Sequence, residues 1–414
     1  MLVKVISRHF DVPGMHTLAV ARQHGAYEKL TEAFARPPEA VHDAVTASGL
    51  RGKGGGGADT GKKWCLMDKF GGTRYVIVNA DESEPGTFKD RQIIERDPHL
   101  LIEGIILTAY AVGAHDAYVY IRGEYRQFAD ILQNAIDEAY ADNWLGDTTR
   151  YGYRVDLTLH RGAGAYICGE KSALVESLEG NRGHPRLKPH TPSPEFFYGN
   201  PALVNNVETI ASVPFIVHHG AEAYRAYGTA ESPGTLLFGL SGHVEKPGIY
   251  EAPFGTPMLA FIEQVGGGVK NGRKLKAVIP GGASTPVLTA EEVAKATLDY
   301  ESLRALGSSL GTGGMIVMDE TTDMVKALKN LLRFYHHESC GQCTPCREGT
   351  GWSERLLERF VAREATEEDL ETLRSVSGTM NGKTICVFAP AASGVIDGFL
   401  KRFEEEFRAC IKRA

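Results

Sequence analysis

The sequence predicts an α/β protein: an open α/β sheet domain, then a β-grasp-like module, then a C-terminal four-helix bundle with a cysteine loop. Three observations predict it. Short apolar runs of strand character alternate with helix-period stretches through the first half of the chain. From about Thr235 the strands become short and closely spaced, with one brief helix among them. Beyond residue 321 the pattern is helical, interrupted by a turn that carries cysteines at every third position. With 414 residues, 43% of them hydrophobic, the chain can bury two to three cores. The divisions fall at an N-terminal helical segment 1–50, an α/β domain 51–230, a β-grasp-like domain 231–320 and a helical domain 321–414.

Residues 27–34 and 38–48 carry apolar side chains at helical spacing and predict peripheral helices. The chain then changes character at Gly52-Lys53-Gly54-Gly55-Gly56-Gly57. Glycines in such density let backbone N–H groups approach a phosphate or a flat nucleotide, and they equally suit a flexible surface loop. Residues 75–78 read as a buried strand, with Asn79-Ala80-Asp81-Glu82-Ser83-Glu84-Pro85-Gly86 at its C-terminal end. Residues 117–121 and 155–159 are further strands, the second leading into Arg161-Gly162-Ala163-Gly164-Ala165-Tyr166-Ile167-Cys168-Gly169-Glu170. Helices are expected at 100–112 and 128–139. An open α/β sheet takes its ligand beyond the strand C-termini, so the three loops are expected to converge on one crevice. Asp81, Glu82 and Glu84 read either as a solvated turn or as the polar edge that a flavin's ribityl chain requires. Neither a GxGxxG nor a P-loop pattern occurs in its proper setting, which disfavours an ordinary Rossmann or P-loop site.

Strands at 236–240, 248–251 and 277–279 and a helix at 258–265 make up the β-grasp-like module. The glycine-rich segments 281–286 and 311–314 read as structural turns within it rather than as catalytic loops. Four helical stripes follow: Met324, Leu328, Leu331, Leu332 and Tyr335; Leu356, Leu357 and Phe360; a third opened by a capping box from Thr366 to Asp369; and Ile396, Leu400, Phe403 and Phe407. Cys340, Cys343 and Cys346 follow the first helix and Cys386 precedes the fourth, which brings four thiols to one end of the bundle. That spacing lets one loop hold three corners of a [4Fe–4S] cubane while a distant segment closes the fourth. A four-cysteine zinc site is the alternative, less favoured because zinc usually takes paired CxxC knuckles. Cys65, Cys168 and Cys410 stand apart from this set, and His336 and His337 read as neighbours of the loop rather than ligands.

The net charge of −7 gives no support for nucleic-acid binding. No charged-then-apolar leader opens the chain, so secretion is not expected. The longest apolar stretch, 100–114, contains Glu103 and is too short to span a bilayer, so no direct membrane insertion is expected. An odd count of seven cysteines, four of them clustered, suits a reducing compartment. A cytoplasmic protein is expected, reaching the inner face of a membrane only through partner subunits.

Together with Asn205-Asn206-Val207-Glu208-Thr209, the loops at 79–86 and 161–170 and the cysteine turn carry a specific resemblance that runs essentially end to end. The chain resembles the flavoprotein subunit of respiratory complex I, the F subunit of bacterial NADH:quinone oxidoreductase, and its relatives in NAD-linked hydrogenases and formate dehydrogenases. The resemblance implies that the α/β domain is flavin-binding and that the bundle carries the iron–sulfur cluster. FMN would accept a hydride from NADH and pass electrons singly to the [4Fe–4S] cluster, then to an E-like [2Fe–2S] subunit and a G-like iron–sulfur subunit. It implies FMN contacts at Gly52, Gly54, Lys63, Asn79, Asp81, Glu82, Tyr166, Gly169, Glu170, Asn205, Asn206 and Thr209, with Glu84 near the nicotinamide. Cys340, Cys343, Cys346 and Cys386 would hold the cluster.

The chain departs from the family pattern around the dinucleotide. Lys53 replaces an arginine, Gly56 an alanine and Ala58 a phenylalanine that stacks on the nucleotide; Leu66 and Thr191 replace two further aromatics, and Lys171 replaces an acidic residue directed at the adenosine ribose. On the scale of base stacking, about 1–3 kcal/mol per aromatic, three such losses would weaken NADH binding by orders of magnitude. Three expectations follow. The donor is NADH, or NADPH with Lys171 favouring a 2′-phosphate. Alternatively a ferredoxin or flavodoxin docks over the opened pocket on a basic rim of Lys53, Lys62, Lys63 and Lys171. In the third, the chain is a non-catalytic structural subunit, against which the intact flavin and cluster residues argue.

Overall fold

The structure is a computed structural model and describes residues 1–412. Among the described residues, ten strands form two five-stranded sheets. The first has the order β3-β2-β1-β5-β4, built from β1 (Tyr75–Ala80), β2 (Asp116–Ile121), β3 (Asp156–Arg161), β4 (Glu195–Phe197) and β5 (Asn200–Asn206). β3, β2, β1 and β5 run parallel, and β4 closes the edge antiparallel to β5. Val76, Ile77 and Val78 are wholly buried, the continuous apolar run of a strand covered on both faces. Asn79 lies opposite Asn206 on β5 and Tyr120 on β2, so the polar ends of these strands finish at one level. The Pro98–Val112 helix packs deep in this core. Its Gly104 meets the backbone of Ile210, where a Cβ would lie 2.3 Å from the carbonyl oxygen, so only glycine permits that approach.

The N-terminal segment is helical at Leu18–Gln23, Leu30–Phe34 and Pro38–Ser48 but is not peripheral. Val5, Ile6, Tyr27, Leu30, Val41 and Val45 are buried in the core of the first sheet. Tyr27 stacks on Trp144 at 4.8 Å, and the Glu251 carboxylate accepts the N–H groups of Val5, Ile6 and Ser7 at 2.9–3.0 Å. These contacts are long-range, so local periodicity carries no trace of them.

The second sheet, order β7-β6-β10-β8-β9, is built from β6 (Thr235–Gly242), β7 (Gly248–Pro253), β8 (Leu275–Ile279), β9 (Leu288–Thr289) and β10 (Gly314–Asp319). Its adjacent strands β6 and β10 are parallel and the remaining pairs antiparallel, the β-grasp arrangement. The expected helix at 258–265 is one helical turn, Met258–Ala260, continued as a π turn at Phe261–Val265.

The helices Met324–Glu338, Thr344–Val361, Glu367–Met380 and Phe388–Arg408 each pack on the next, and the first packs on the last. Thr366 and Asp369 form the expected capping box. The last helix breaks at Phe403, where φ is −133°. One apolar core joins these helices to Ile77, Tyr120 and Val204 of the first sheet and to Ala277 and Ile279 of the second. That shared core fixes the cysteine loop against the strand ends. Among the described residues, no helix is long and apolar enough to cross a membrane.

Candidate cofactor site

A cavity of about 470 Å³ opens at the C-terminal ends of the parallel strands, within the usual range for a small-molecule site. One wall is the glycine arm, residues 54–56. The β1 end supplies Asn79, Asp81, Glu82 and Glu84, the loop after β3 supplies Tyr166, Gly169 and Glu170, and β5 supplies Asn206. The second sheet contributes Ser284, Thr285 and Thr312, and the helical region closes the cavity with Cys386, Val387 and Phe388.

Along this wall Asp81 and Glu82 are buried and Glu84 and Glu170 half-buried, and each has its own hydrogen-bond partners. Asn79 Nδ2 donates to the Gly169 carbonyl at 2.8 Å, and the Asp81 N–H donates to Asn79 Oδ1 at 3.0 Å. Burial pushes Asp81 up to about 7, with Arg122 pulling against the shift. Glu82 is likewise pushed up to about 7 by burial, with the charge of Asp90 adding to it. Its carboxylate accepts the N–H groups of Asp90 at 2.8 Å and Arg91 at 3.2 Å, and the hydroxyl of Tyr125 at 3.0 Å. Burial also raises Glu84, opposed by the Tyr166 hydroxyl and the Ser284 N–H, each donating to it at 2.6 Å. Glu170 caps the Lys171–Leu178 helix, accepting from Ser172 N–H at 2.9 Å and Ala173 N–H at 3.1 Å. Carboxyl groups held near neutrality can both accept from and donate to the hydroxyls of a polyol chain.

Beneath the arm lies a buried charge network. Lys53, with its side chain wholly buried, reaches Glu208 at 3.2 Å and Ser212 at 2.8 Å, and its N–H donates to Thr209 Oγ1 at 2.8 Å. Lys89 lies 2.8 Å from both Glu208 and Asp90. Burial lowers Lys53 despite the pull of Glu208. For Glu208 burial is outweighed by the two lysines, and the carboxyl is held below its usual range.

At the other side, Cys343 caps the Thr344–Val361 helix, Cys346 lies in its first turn, and Cys386 sits just before the Phe388–Arg408 helix. All four of these cysteines, Cys340 included, share one apolar neighbourhood and form no disulfide, Cys346 buried and the others half-buried. The Ile385 N–H points at Cys343 Sγ at 3.4 Å, and Ser339 Oγ lies 3.3 Å from Cys346 Sγ. Burial pushes the Cys386 thiol up to about 11 and raises Cys346 as well. Among the described residues no three His, Cys, Asp or Glu side chains converge tightly enough for a single ion. Tyr166 joins the two sites: its ring meets Phe334 and Phe388 edge-on at 5.1 and 5.6 Å, and its N–H donates to Glu338 at 3.2 Å.

Residues 45–215 match the Nuo51 FMN-binding domain, 236–317 the SLBB domain, and 326–410 the NADH-ubiquinone oxidoreductase-F iron-sulfur binding region. The F subunit of NADH-quinone oxidoreductase from Rickettsia bellii is 47% identical over 400 residues, covering 96% of both chains. That of Mycobacterium tuberculosis is 46% identical over 421 residues, covering 99% of this chain and 94% of its own. The chain belongs to the family of NADH-quinone oxidoreductase F subunits. Among solved structures, an NAD+-reducing [NiFe]-hydrogenase in its H2-reduced state matches with a TM-score of 0.84 at 38% identity over 93% of this chain. This chain spans 65% of the hydrogenase chain it matches.

Of the residues that the family resemblance marks, Gly54, Asn79, Asp81, Glu82, Glu84, Tyr166, Gly169, Glu170 and Asn206 line the cavity. Gly52, Lys63, Asn205 and Thr209 lie behind it. Gly52 forms the neck of the arm, its N–H donating to the Ala58 carbonyl at 2.7 Å. Thr209 holds the backbone of Lys53. Lys63 turns inward and donates to the Val204 carbonyl; burial, with Lys171 nearby, brings it down to about 8. Asn205 is 5% exposed, and its Nδ2 has no protein partner. FMN fits the lining of the cavity: an arm without side chains and carboxyls suited to a ribityl chain. The cysteine set fits a [4Fe–4S] cluster. The basic rim is not formed. Lys53 is buried, Lys63 faces the sheet and Lys171 pairs with Glu195 at 2.7 Å, which leaves Lys62 as the exposed member. Sequence reasoning missed Ser284, Thr285 and Thr312 as cavity residues. Their signal was Gly282: it has φ of +98°, and a Cβ there would lie 2.5 Å from Glu84.

Proposed function

We propose that this chain is the electron-entry subunit of a complex I-like NADH:quinone oxidoreductase, with FMN in the cavity and the [4Fe–4S] cluster behind its Cys386 wall. The reading rests on the division at 1–50, 51–230, 231–320 and 321–414, supported by the three family matches. The observation that carries it is that wall: Cys386, Val387 and Phe388 line the same cavity as Asn79, Asp81, Glu82 and Glu84. FMN bound there supplies acceptance of a hydride from NADH or NADPH and release of its electrons one at a time.

The chain's own groups have separable tasks. The glycine arm presents backbone N–H groups to the phosphate, and Lys63, held on the Val204 carbonyl behind the cavity, adds a cation at longer range. Asn79, Asp81, Glu82 and Asn206 hold the ribityl chain and ring edge, and Glu84, fixed by Tyr166 and Ser284, faces the nicotinamide. Phe388, 5% exposed and packed edge-on against Tyr166 and Tyr335, excludes water beside Cys386. Electrons then pass to partner subunits of the E-like [2Fe–2S] and G-like kinds, which hold the assembly at the inner face of the membrane.

A second reading, a ferredoxin or flavodoxin donor, is favoured by Ala58, Leu66 and Thr191, which leave the dinucleotide without three aromatic platforms. Anaerobic titration of the FMN-loaded chain with NADH and NADPH, following flavin bleaching, separates the two. Bleaching by NADH supports the proposal, and bleaching by NADPH alone assigns Lys171 its role. A flavin that dithionite reduces but neither nucleotide bleaches transfers the case to a protein donor.

A further inference from the structure

The glycine arm is held from outside its own sheet. Gly55 and Gly57 take φ of +108° and +60°, and Gly54 and Gly56 are exposed, so the arm's own sequence selects no single shape. Arg51 ties its two ends. Arg51 Nε donates to the Gly57 carbonyl at 2.7 Å, and Nη1 pairs with Glu301 at 2.6 Å. The guanidinium lies 4.1 Å from the centre of the Tyr300 ring, close enough for a cation–π contact. Tyr300 is 5% exposed, and its hydroxyl donates to the Gly52 carbonyl at 3.1 Å. Its ring also backs Gly57, where a Cβ would come within 2.5 Å of it. Tyr300 and Glu301 stand on the short Tyr300–Ala305 helix between β9 and β10, in the β-grasp module.

We propose that Tyr300 and Glu301 are positioning residues that act through Arg51 to hold the glycine arm in the shape that receives the flavin phosphate. The β-grasp module thereby sets flavin affinity. The proposal rests on the flavin reading of the cavity. A glycine-rich segment loses more conformational freedom on ordering than any other, and contacts that order it beforehand remove that cost from binding.

The test uses the full-length chain with Tyr300→Phe, which keeps the ring but loses the hydroxyl, and Glu301→Gln, which weakens the hold on Arg51. Tyr250→Phe is the control: it removes a hydroxyl in the same module that donates to the Lys246 carbonyl at 3.0 Å. Two quantities are read: the FMN dissociation constant by fluorescence quenching, and amide hydrogen exchange at residues 52–57 without FMN. The loss of one hydrogen bond predicts FMN binding weaker by about 2- to 13-fold in Tyr300→Phe. It also predicts faster exchange at 52–57, with a melting temperature close to that of Tyr250→Phe. Unchanged exchange at 52–57 in both variants overturns the clamp, as does unchanged FMN affinity in both. A wild-type chain that binds no FMN overturns the flavin reading instead, and faster exchange at 52–57 in the variants then still upholds the clamp on the arm.

Discussion

Glu208 is the anion on which the floor of the cavity depends, and replacing it tests that reasoning. Its carboxylate lies 3.2 Å from Lys53 and 2.8 Å from Lys89, and it accepts the Leu237 N–H of β6 at 2.9 Å. All three charged side chains are buried. Glu208→Gln keeps the shape and removes the charge, leaving Asp90 to serve Lys89 while Lys53 loses its ion-pair partner and keeps only the longer-range attraction of Glu251. Removing one partner of a buried pair costs about 3–5 kcal/mol. At roughly 2–4 °C per kcal/mol for a domain of this kind, the melting temperature falls by about 6–20 °C. The sign with pH is also fixed. A lysine whose folded pKa is depressed binds fewer protons folded than unfolded, so stability rises with pH up to its unfolded value near ~10.4. Burial already lowers Lys53, and losing Glu208 lowers it further. Glu208→Gln therefore regains stability relative to wild type as pH is raised from 7 to 9.5. The double variant Lys53→Met with Glu208→Gln recovers most of the loss, because it removes the stranded charge. Calorimetry on the full-length chain measures each arm. A cost below about 1 kcal/mol, or a double variant no more stable than Glu208→Gln, would refute the reasoning.

Other expectations follow from the same geometry. Burial holds Asp81 and Glu82 up to about 7, so their stabilisation is full below an unfolded pKa of about 4 and is lost as pH rises through about 7. Melting of the FMN-free chain should decline across that window, and Asp81→Asn should flatten the decline. Replacing Cys340, Cys343, Cys346 or Cys386 by Ser should abolish bound iron and the cluster's visible absorption while FMN remains. Cys65→Ser and Cys410→Ser should leave both intact. Lys171→Glu places a carboxylate beside Glu195, now 2.7 Å from the lysine, and should lower the NADPH-to-NADH ratio of kcat/KM by about tenfold.

Much of this was legible because the signals are local. The apolar run at 75–78, the carboxylates at its end and the cysteines at every third position each lie in one short segment, and periodicity or spacing exposes them. Parallel strands then bring their C-terminal loops together as a matter of topology. What escaped were long-range contacts. Lys53 reads as part of an exposed basic rim, yet Glu208, far along the chain, draws it beneath the arm. Tyr27 reads as part of a peripheral helix, but its stacking on Trp144 places it in the core. Ser284 and Tyr300 reach the site from a module that reads as a separate fold, and only the glycines opposite them hint at close approach. The π turn at Phe261–Val265 has the same apolar spacing as an ordinary helix and so reads as one.

Electrons are expected to enter at the cavity and leave through the wall that holds Cys386. Anaerobic rapid mixing of the FMN- and cluster-loaded chain with NADH or NADPH, read by flavin absorbance and by the cluster's electron paramagnetic resonance, tests this route most directly. Flavin should bleach first and the cluster signal follow within the same turnover, with Cys386→Ser keeping the first event and losing the second. A flavin and cluster that dithionite reduces but both nucleotides leave oxidised would contradict it.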